Sequence, residues 1–317
     1  MKSYLVTGSA GFIGSHVSRL LLTQGHRVVG IDGYRTELYP ADDKLRRHAD
    51  LHAFEHFESH VLDLRTDSLR PHLDGADAVI HLAALAGIEG PGRSPEAYFQ
   101  HNVDATRTVL NAISTTGTHL VHASTSSVYG ATAVGDENQP LAPVSAYGRS
   151  KVAAEALVRN HVSESRGSAT VLRLFSAYGP EQRPEMAYAA ACRALLSGQP
   201  MRITGDGTQS RSNTFVTDVA RAIVLAASIK PAATLNVSGG ESVRLIDAIT
   251  IIAEELGAQP VLEYGPPREG DQLVTRGDSA KALEVLGWSP EVSIREGLAA
   301  QAAWALSLLT GRQSGHP

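Results

Sequence analysis

A chain of 317 residues is long enough to bury a substantial core and to carry two lobes. Its net charge of −5 gives no basic footprint for nucleic acid, and no apolar run approaches the ~20 residues that span a bilayer. No basic-then-apolar leader precedes the first strand, and the single cysteine, Cys192, reads as a buried structural thiol, so a soluble, cytoplasmic protein is expected.

Tyr4 to Thr7 reads as a short buried strand, followed at once by Gly8-Ser9-Ala10-Gly11-Phe12-Ile13-Gly14 and a helix running to Gln24-Gly25. Gly8 allows the tight turn, Gly11 lets the backbone approach a pyrophosphate, and Gly14 permits close packing of helix on strand. The helix start offers unpaired N–H groups to the anion. A second strand, Arg27 to Ile31, ends in Asp32, an acid placed to accept hydrogen bonds from an adenosine ribose and to repel a 2′-phosphate. This favours NAD over NADP, and Arg35 nearby weakens the preference slightly. His48, His52, His56 and His60 recur every fourth residue, but the region near His60 leads into a strand, so a solvated polar face is expected and no metal site.

Further on, strands at Ala78 to Leu82, His119 to Ala123 and Ala169 to Leu174 alternate with helices around Pro95 to Thr115 and Ala146 to Glu164. That alternation predicts an α/β fold, a Rossmann-type doubly wound parallel sheet covered on both faces, with a smaller C-terminal α/β lobe. The pattern loosens from Phe175, with Pro180, Pro184, Pro200 and the Gly205-Asp206-Gly207 turn, and Thr214 to Ile229 returns as a helix. The expected division is 1–175 plus 213–238 for the dinucleotide lobe, 176–212 plus 239–306 for the substrate lobe, and 307–317 as a frayed tail.

Tyr147 and Lys151 stand four residues apart on the helix expected from Ala146, which puts phenol and ammonium on one face, with Thr125 upstream in Ser124-Thr125-Ser126-Ser127-Val128-Tyr129-Gly130. A free tyrosine has a pKa near ~10, too high for a base at neutral pH, but a lysine and an oxidised nicotinamide both favour its charged form. Tyr147 is thus the candidate base for hydride chemistry on a sugar hydroxyl.

With these motifs in register, the chain resembles an extended short-chain dehydrogenase/reductase of the NAD-dependent epimerase/dehydratase family. The resemblance implies tightly bound NAD, recycled each turnover, and a nucleotide-diphosphate sugar as substrate. It implies cofactor contacts from the glycine loop with Phe12 and Ile13, from Asp63 as the adenine-contacting acid with Leu64, from Leu82, Ala83 and Ala84 after the fourth strand, and from Asn102. Tyr147 and Lys151 would also hold the nicotinamide end. On the substrate side it implies Arg211, Arg268 and Asp271 around the diphosphate, with Ser126, Ser127, Ser176 and Arg183 around the sugar. By the same analogy an isologous dimer forms through the helices around 95–115 and 146–164.

The neighbours of these residues separate related reactions. The family's 4,6-dehydratases carry an Asp-Glu pair after the threonine, where this chain has Ser126 and Ser127. Serines cannot readily supply acid and base to eliminate water, so 4-epimerisation through a 4-keto sugar is the expected outcome. Dehydratase, decarboxylase or reductase chemistry on the same intermediate is the alternative, and a silent NAD-binding scaffold a third. The small hydroxyls and Gln182-Arg183-Pro184 resemble UDP-glucuronate 4-epimerases. Ser176 in place of an Asn or Thr, Glu89 in place of an Arg, and Ser212-Asn213 in place of Asp-Phe depart from the family pattern.

Overall fold

The computed structural model describes residues 1–36, 40–87, 94–165, 167–267 and 271–310. The first half of the chain runs β1 (Ser3–Thr7), α1 (Phe12–Thr23), β2 (Arg27–Asp32), α2 (Ala41–Leu51), β3 (Phe57–Val61), β4 (Ala78–His81), α3 (Pro95–Phe99), α4 (Ala105–Ile113), β5 (His119–Thr125), β6 (Thr132–Gly135), α5 (Ala146–Ser165) and β7 (Ala169–Leu174). The second half continues with β8 (Ala177–Tyr178), α6 (Ala187–Ser197), β9 (Met201–Thr204), β10 (Ser210–Ser212), β11 (Thr214–Phe215), α7 (Val216–Ile229) and β12 (Ala233–Val237). It ends with β13 (Ser242–Arg244), α8 (Leu245–Leu256), β14 (Leu262–Gly265), β15 (Val274–Gly277), α9 (Ala280–Leu286) and α10 (Ile294–Thr310).

Seven strands form one sheet in the order β12-β7-β5-β4-β1-β2-β3, every neighbour parallel. These strands are short runs of Val, Ile and Leu because both faces are covered. On one face Val6 and Ile80 pack with Val17 and Leu21 of α1 and Ile223 of α7. On the other, Leu5 and Val79 pack with Val109 and Ile113 of α4 and Val158 of α5. Each such side chain, fully buried, contributes about 1.5–3 kcal/mol. The helix α1 stops where Gly25, at φ +76°, turns left-handed and donates its N–H to the Leu22 carbonyl. Strand order reverses between β1 and β4, so the carboxyl ends of these strands open a crevice.

A second, four-stranded sheet has the order β13-β10-β15-β6, and α6, α8 and α10 close an apolar cluster that includes Tyr188, Ile203, Ile249 and Leu298. Strand β6 lies within the residues expected for the dinucleotide lobe, yet it pairs with β15, so that stretch of chain belongs to the second sheet. The helix α10 continues to Thr310, past the expected start of the tail at 307, and 311–317 lie outside the described residues. Among the described residues no helix is long and apolar enough to cross a membrane. Cys192 is buried, which pushes its thiol up to about 12.

The four-residue histidine spacing does not mark one helix face, because α2 ends at Leu51 and His60 belongs to β3. His48 alone of the four is buried, between the Ser9 hydroxyl at 2.9 Å and the Tyr34 hydroxyl at 2.5 Å. His52 stacks edge-on against Phe57, and His60 bonds Glu58 at 2.7 Å.

Burial lowers His48 to about 4, His119 to about 4 and His81 to about 3, and holds His122 well below its ordinary value. Among the described residues neither ring nitrogen of His122 has a hydrogen-bond partner. Unfolded histidines take up protons near pH 6.5, whereas folded His48, His81 and His119 do so only near 3 to 4, so between those values the unfolded chain binds more protons. Stability is therefore expected to fall as pH drops below about 6.5, by about 2 kcal/mol for each histidine at about pH 5. Thermal melts from neutral pH to pH 5 test this: a flat profile contradicts it, and His122→Phe should make the profile shallower.

Candidate active site

The turn between β1 and α1 brings Gly8 to φ +72°, with its N–H donating to the Ile31 carbonyl at 2.7 Å. A Cβ there would lie 2.8 Å from the Ala83 nitrogen, and one at Gly14 would lie 2.0 Å from the Gly8 carbonyl oxygen. Glycine is thus required at Gly8 for the approach to the loop after β4, and at Gly14 for packing α1 onto its own loop. The start of α1 carries no side-chain cap and faces a cleft of about 540 Å³. A helix start facing a cleft suits a pyrophosphate.

Asp32 stands at the tip of β2, 5% exposed, where its carboxylate accepts from the Ala10 N–H at 3.2 Å, the Tyr34 N–H at 2.8 Å and the Lys44 ammonium at 3.0 Å. Asp63 lines the same end of the cleft, and hydrogen bonds from Arg65 hold its carboxyl down at about 2. A helix start, a buried acid at the second strand and backbone from Leu82 to Ala84 together fit a dinucleotide. These residues would hold its pyrophosphate, ribose and nicotinamide ends respectively.

At the middle of the cleft Thr125 closes β5 and Tyr147 and Lys151 rise from α5. The helix is fixed at its start by Ser145, whose hydroxyl accepts the Gly148 N–H at 3.0 Å. The Lys151 ammonium donates to the Ala123 carbonyl at 2.8 Å, and burial brings it down to about 8 while the Glu155 carboxylate opposes that shift. Tyr147 packs against Tyr98, ring centres 6.0 Å apart. Burial raises its phenol above the ordinary value, and the Thr125 hydroxyl and the Arg183 guanidinium pull it back. The groups seen to favour the phenolate are Thr125 and Arg183, while the Lys151 ammonium bonds the backbone.

Every expected site residue among the described ones lines this cleft except Asn102. Asn102 is 1% exposed and sits behind the loop, its amide bonding both the N–H and the carbonyl of Leu85 and donating to Ser150 at 2.9 Å. It lies in a π turn, Gln100–Asp104, between α3 and α4. These bonds hold the loop after β4 against α5. Ser126 donates its hydroxyl to Gln272 at 2.9 Å, and Gln272 returns an N–H to the Ser126 carbonyl at 3.1 Å, which leaves Ser127 as the serine beside Thr125. Arg183 donates to the Ala86 carbonyl at 2.9 Å. At the far end Arg211 and Asp271 pair at 3.7 Å, both partly exposed, and Ser176 also lines the cleft. Arg268 and Glu89 lie outside the described residues. Lys44, Gln182 and Gln272 also line the cleft and were not expected from the sequence.

The family model described as "NAD dependent epimerase/dehydratase family" matches residues 4–238. A UDP-glucuronate 4-epimerase of Thermodesulfobacterium geofontis is 34% identical over 96% of this chain and 96% of its own. A Bacillus subtilis protein described as an uncharacterized UDP-glucose epimerase is 34% identical over 97% of this chain and 99% of its own. Among solved structures, UDP-glucuronic acid 4-epimerase from Bacillus cereus, in complex with UDP-glucuronic acid and NAD, aligns with a TM-score of 0.92 at 32% identity, covering 96% of this chain and 99% of that one.

Proposed function

Because the chain belongs to the NAD dependent epimerase/dehydratase family, we propose that it is an NAD-dependent nucleotide-sugar 4-epimerase. The observation that carries this reading is the placement of Thr125, Tyr147 and Lys151 at the middle of one cleft. The dinucleotide loop and Asp32 lie at one end of it, and the Arg211–Asp271 pair lies at the other.

NAD, held by the glycine loop, Asp32 and Lys151, would supply a hydride acceptor and donor for the sugar's C4. Tyr147 takes the proton from the C4 hydroxyl and gives it back to the 4-keto sugar's oxygen on return. Thr125 hydrogen-bonds the same oxygen, and Lys151, anchored on the Ala123 carbonyl, holds the nicotinamide ribose. Arg211 and Asp271 orient the diphosphate end. Ser127, Ser176 and Arg183 surround the sugar, a set of hydroxyls and one cation that suits either a hexose or a hexuronate. With Ser126 bonded to Gln272 and Ser127 unable to act as an acid, elimination of water has no residue pair to drive it.

The test is to incubate purified protein, without added NAD, with UDP-hexoses and UDP-hexuronates and to follow products by mass spectrometry and NMR. A product of unchanged mass inverted at C4 is expected. Loss of water or of carbon dioxide would move the protein to the alternative reactions, and no product with bound NAD would favour the silent scaffold. The reading extends to two lobes, 1–175 plus 213–238 and 176–212 plus 239–306, and to an isologous dimer through α3, α4 and α5, which a monomer in light scattering of the same preparation would refute.

A further inference from the structure

The buried face of α2 carries two cations: Lys44 and Arg47 are buried there together with His48 and Leu51. Arg47 reaches in two directions. Its Nη1 donates to the Ala10 carbonyl in the glycine loop at 3.2 Å, while Nε and Nη2 donate to the Glu181 carboxylate at 2.6 Å and to the Glu181 carbonyl at 3.2 Å. Arg46 adds a bond to the other Glu181 oxygen at 3.0 Å. The side chain of Arg47 is 4% exposed and that of Glu181 16%, so this is a largely dehydrated charge cluster rather than a surface pair.

Glu181 is held at φ +67°, a left-handed conformation that side chains other than glycine adopt rarely. The residue after it, Gln182, is fixed from the opposite side. It donates to the Ala177 carbonyl at 3.1 Å and accepts from Gln301 of α10 at 2.8 Å, and Gln301 in turn accepts the Gly179 N–H at 3.0 Å. Arg183 comes next and enters the cleft beside Tyr147. The turn that delivers Arg183 is therefore held by α10 on one side and by α2 on the other, and the α2 anchor also grips the loop that faces the dinucleotide.

We propose that Glu181 and Arg47 are positioning residues forming a latch between the dinucleotide end of the cleft and its middle, so that placing Arg183 at the sugar and retaining the dinucleotide are coupled through Arg47. The latch rests on the reading of the cleft as a dinucleotide and nucleotide-sugar site. It predicts a reciprocal effect: loosening the turn loosens the glycine loop as well.

Glu181→Gly tests this, because glycine accepts the left-handed backbone without strain while removing the carboxylate. Two quantities are measured: the rate at which purified protein loses its bound dinucleotide on dilution, read by chromatography, and KM against kcat for the nucleotide sugar. Dinucleotide loss faster by about tenfold and KM higher by about tenfold, with kcat changed less, are expected. Arg47→Met should do the same, and the double variant should be no worse than either single one. Binding of UDP, which engages the Arg211 end alone, should stay unchanged. Unaltered dinucleotide loss and KM in Glu181→Gly, or a lowered melting temperature with neither effect, would overturn the latch. Dinucleotide loss needs no turnover, so it reads the latch even if no sugar in the panel is converted, an outcome that would count against the epimerase and not against the latch.

Discussion

Tyr147→Phe is expected to lower turnover by about 10²–10⁴-fold, the range that a positioned acid–base group contributes, while leaving the dinucleotide bound. The substitution removes one oxygen and keeps the ring that packs against Tyr98, so the fold has no reason to respond. The chemistry does, because no other described hydroxyl has the same surroundings. Thr125 and Arg183 are the two groups that counter the effect of burial on the phenol, and both line the cleft with it. Mixing the variant with substrate and watching the absorbance of reduced nicotinamide separates the steps: the wild-type protein should show transient reduction and the variant none. A variant that still turns over near the normal rate would remove Tyr147 from the mechanism.

The residues that do this work were legible because each belongs to a local pattern. The glycine loop is read from seven consecutive residues, Gly8 to Gly14, and Tyr147 and Lys151 from one helical turn. A sheet whose strands are short and apolar, alternating with helices, announces its parallel arrangement in the same way. What escaped was long-range. Glu181 and Arg47 are 134 residues apart in sequence, and Gln272 and Ser126 are 146 apart, so no spacing rule could join them. Arg47 and Lys44 look like ordinary solvated charges on a polar helix until the fold turns that face onto the glycine loop. The bonds of Asn102 were hidden in the same way: its amide satisfies the backbone of Leu85, 17 residues earlier in the chain.

Arg173 was likewise hidden inside an apolar strand, and its replacement carries the largest expected cost in stability. Arg173→Met should destabilise the protein by about 3–5 kcal/mol, the usual consequence of leaving one partner of a buried ion pair alone. Glu155 on α5 is 0% exposed and Arg173 on β7 is 5% exposed. The guanidinium meets both carboxylate oxygens, at 3.0 and 2.8 Å, and its remaining nitrogen donates to the Tyr129 hydroxyl at 2.9 Å, which itself donates to Asn236 at 2.7 Å. Without Arg173 the carboxylate keeps Ser124 at 2.5 Å and the distant, half-exposed Arg159 at 3.5 Å, too little to replace the lost bidentate pair. Urea unfolding of the variant measures the loss. The double variant Glu155→Leu, Arg173→Met should recover most of it, since apolar side chains of similar size need no such compensation. It should not recover activity fully, because the Glu155 charge opposes the effect of burial on Lys151. A double variant as unstable as the single one would mean that Arg173 acts through Tyr129 and Asn236 rather than through Glu155.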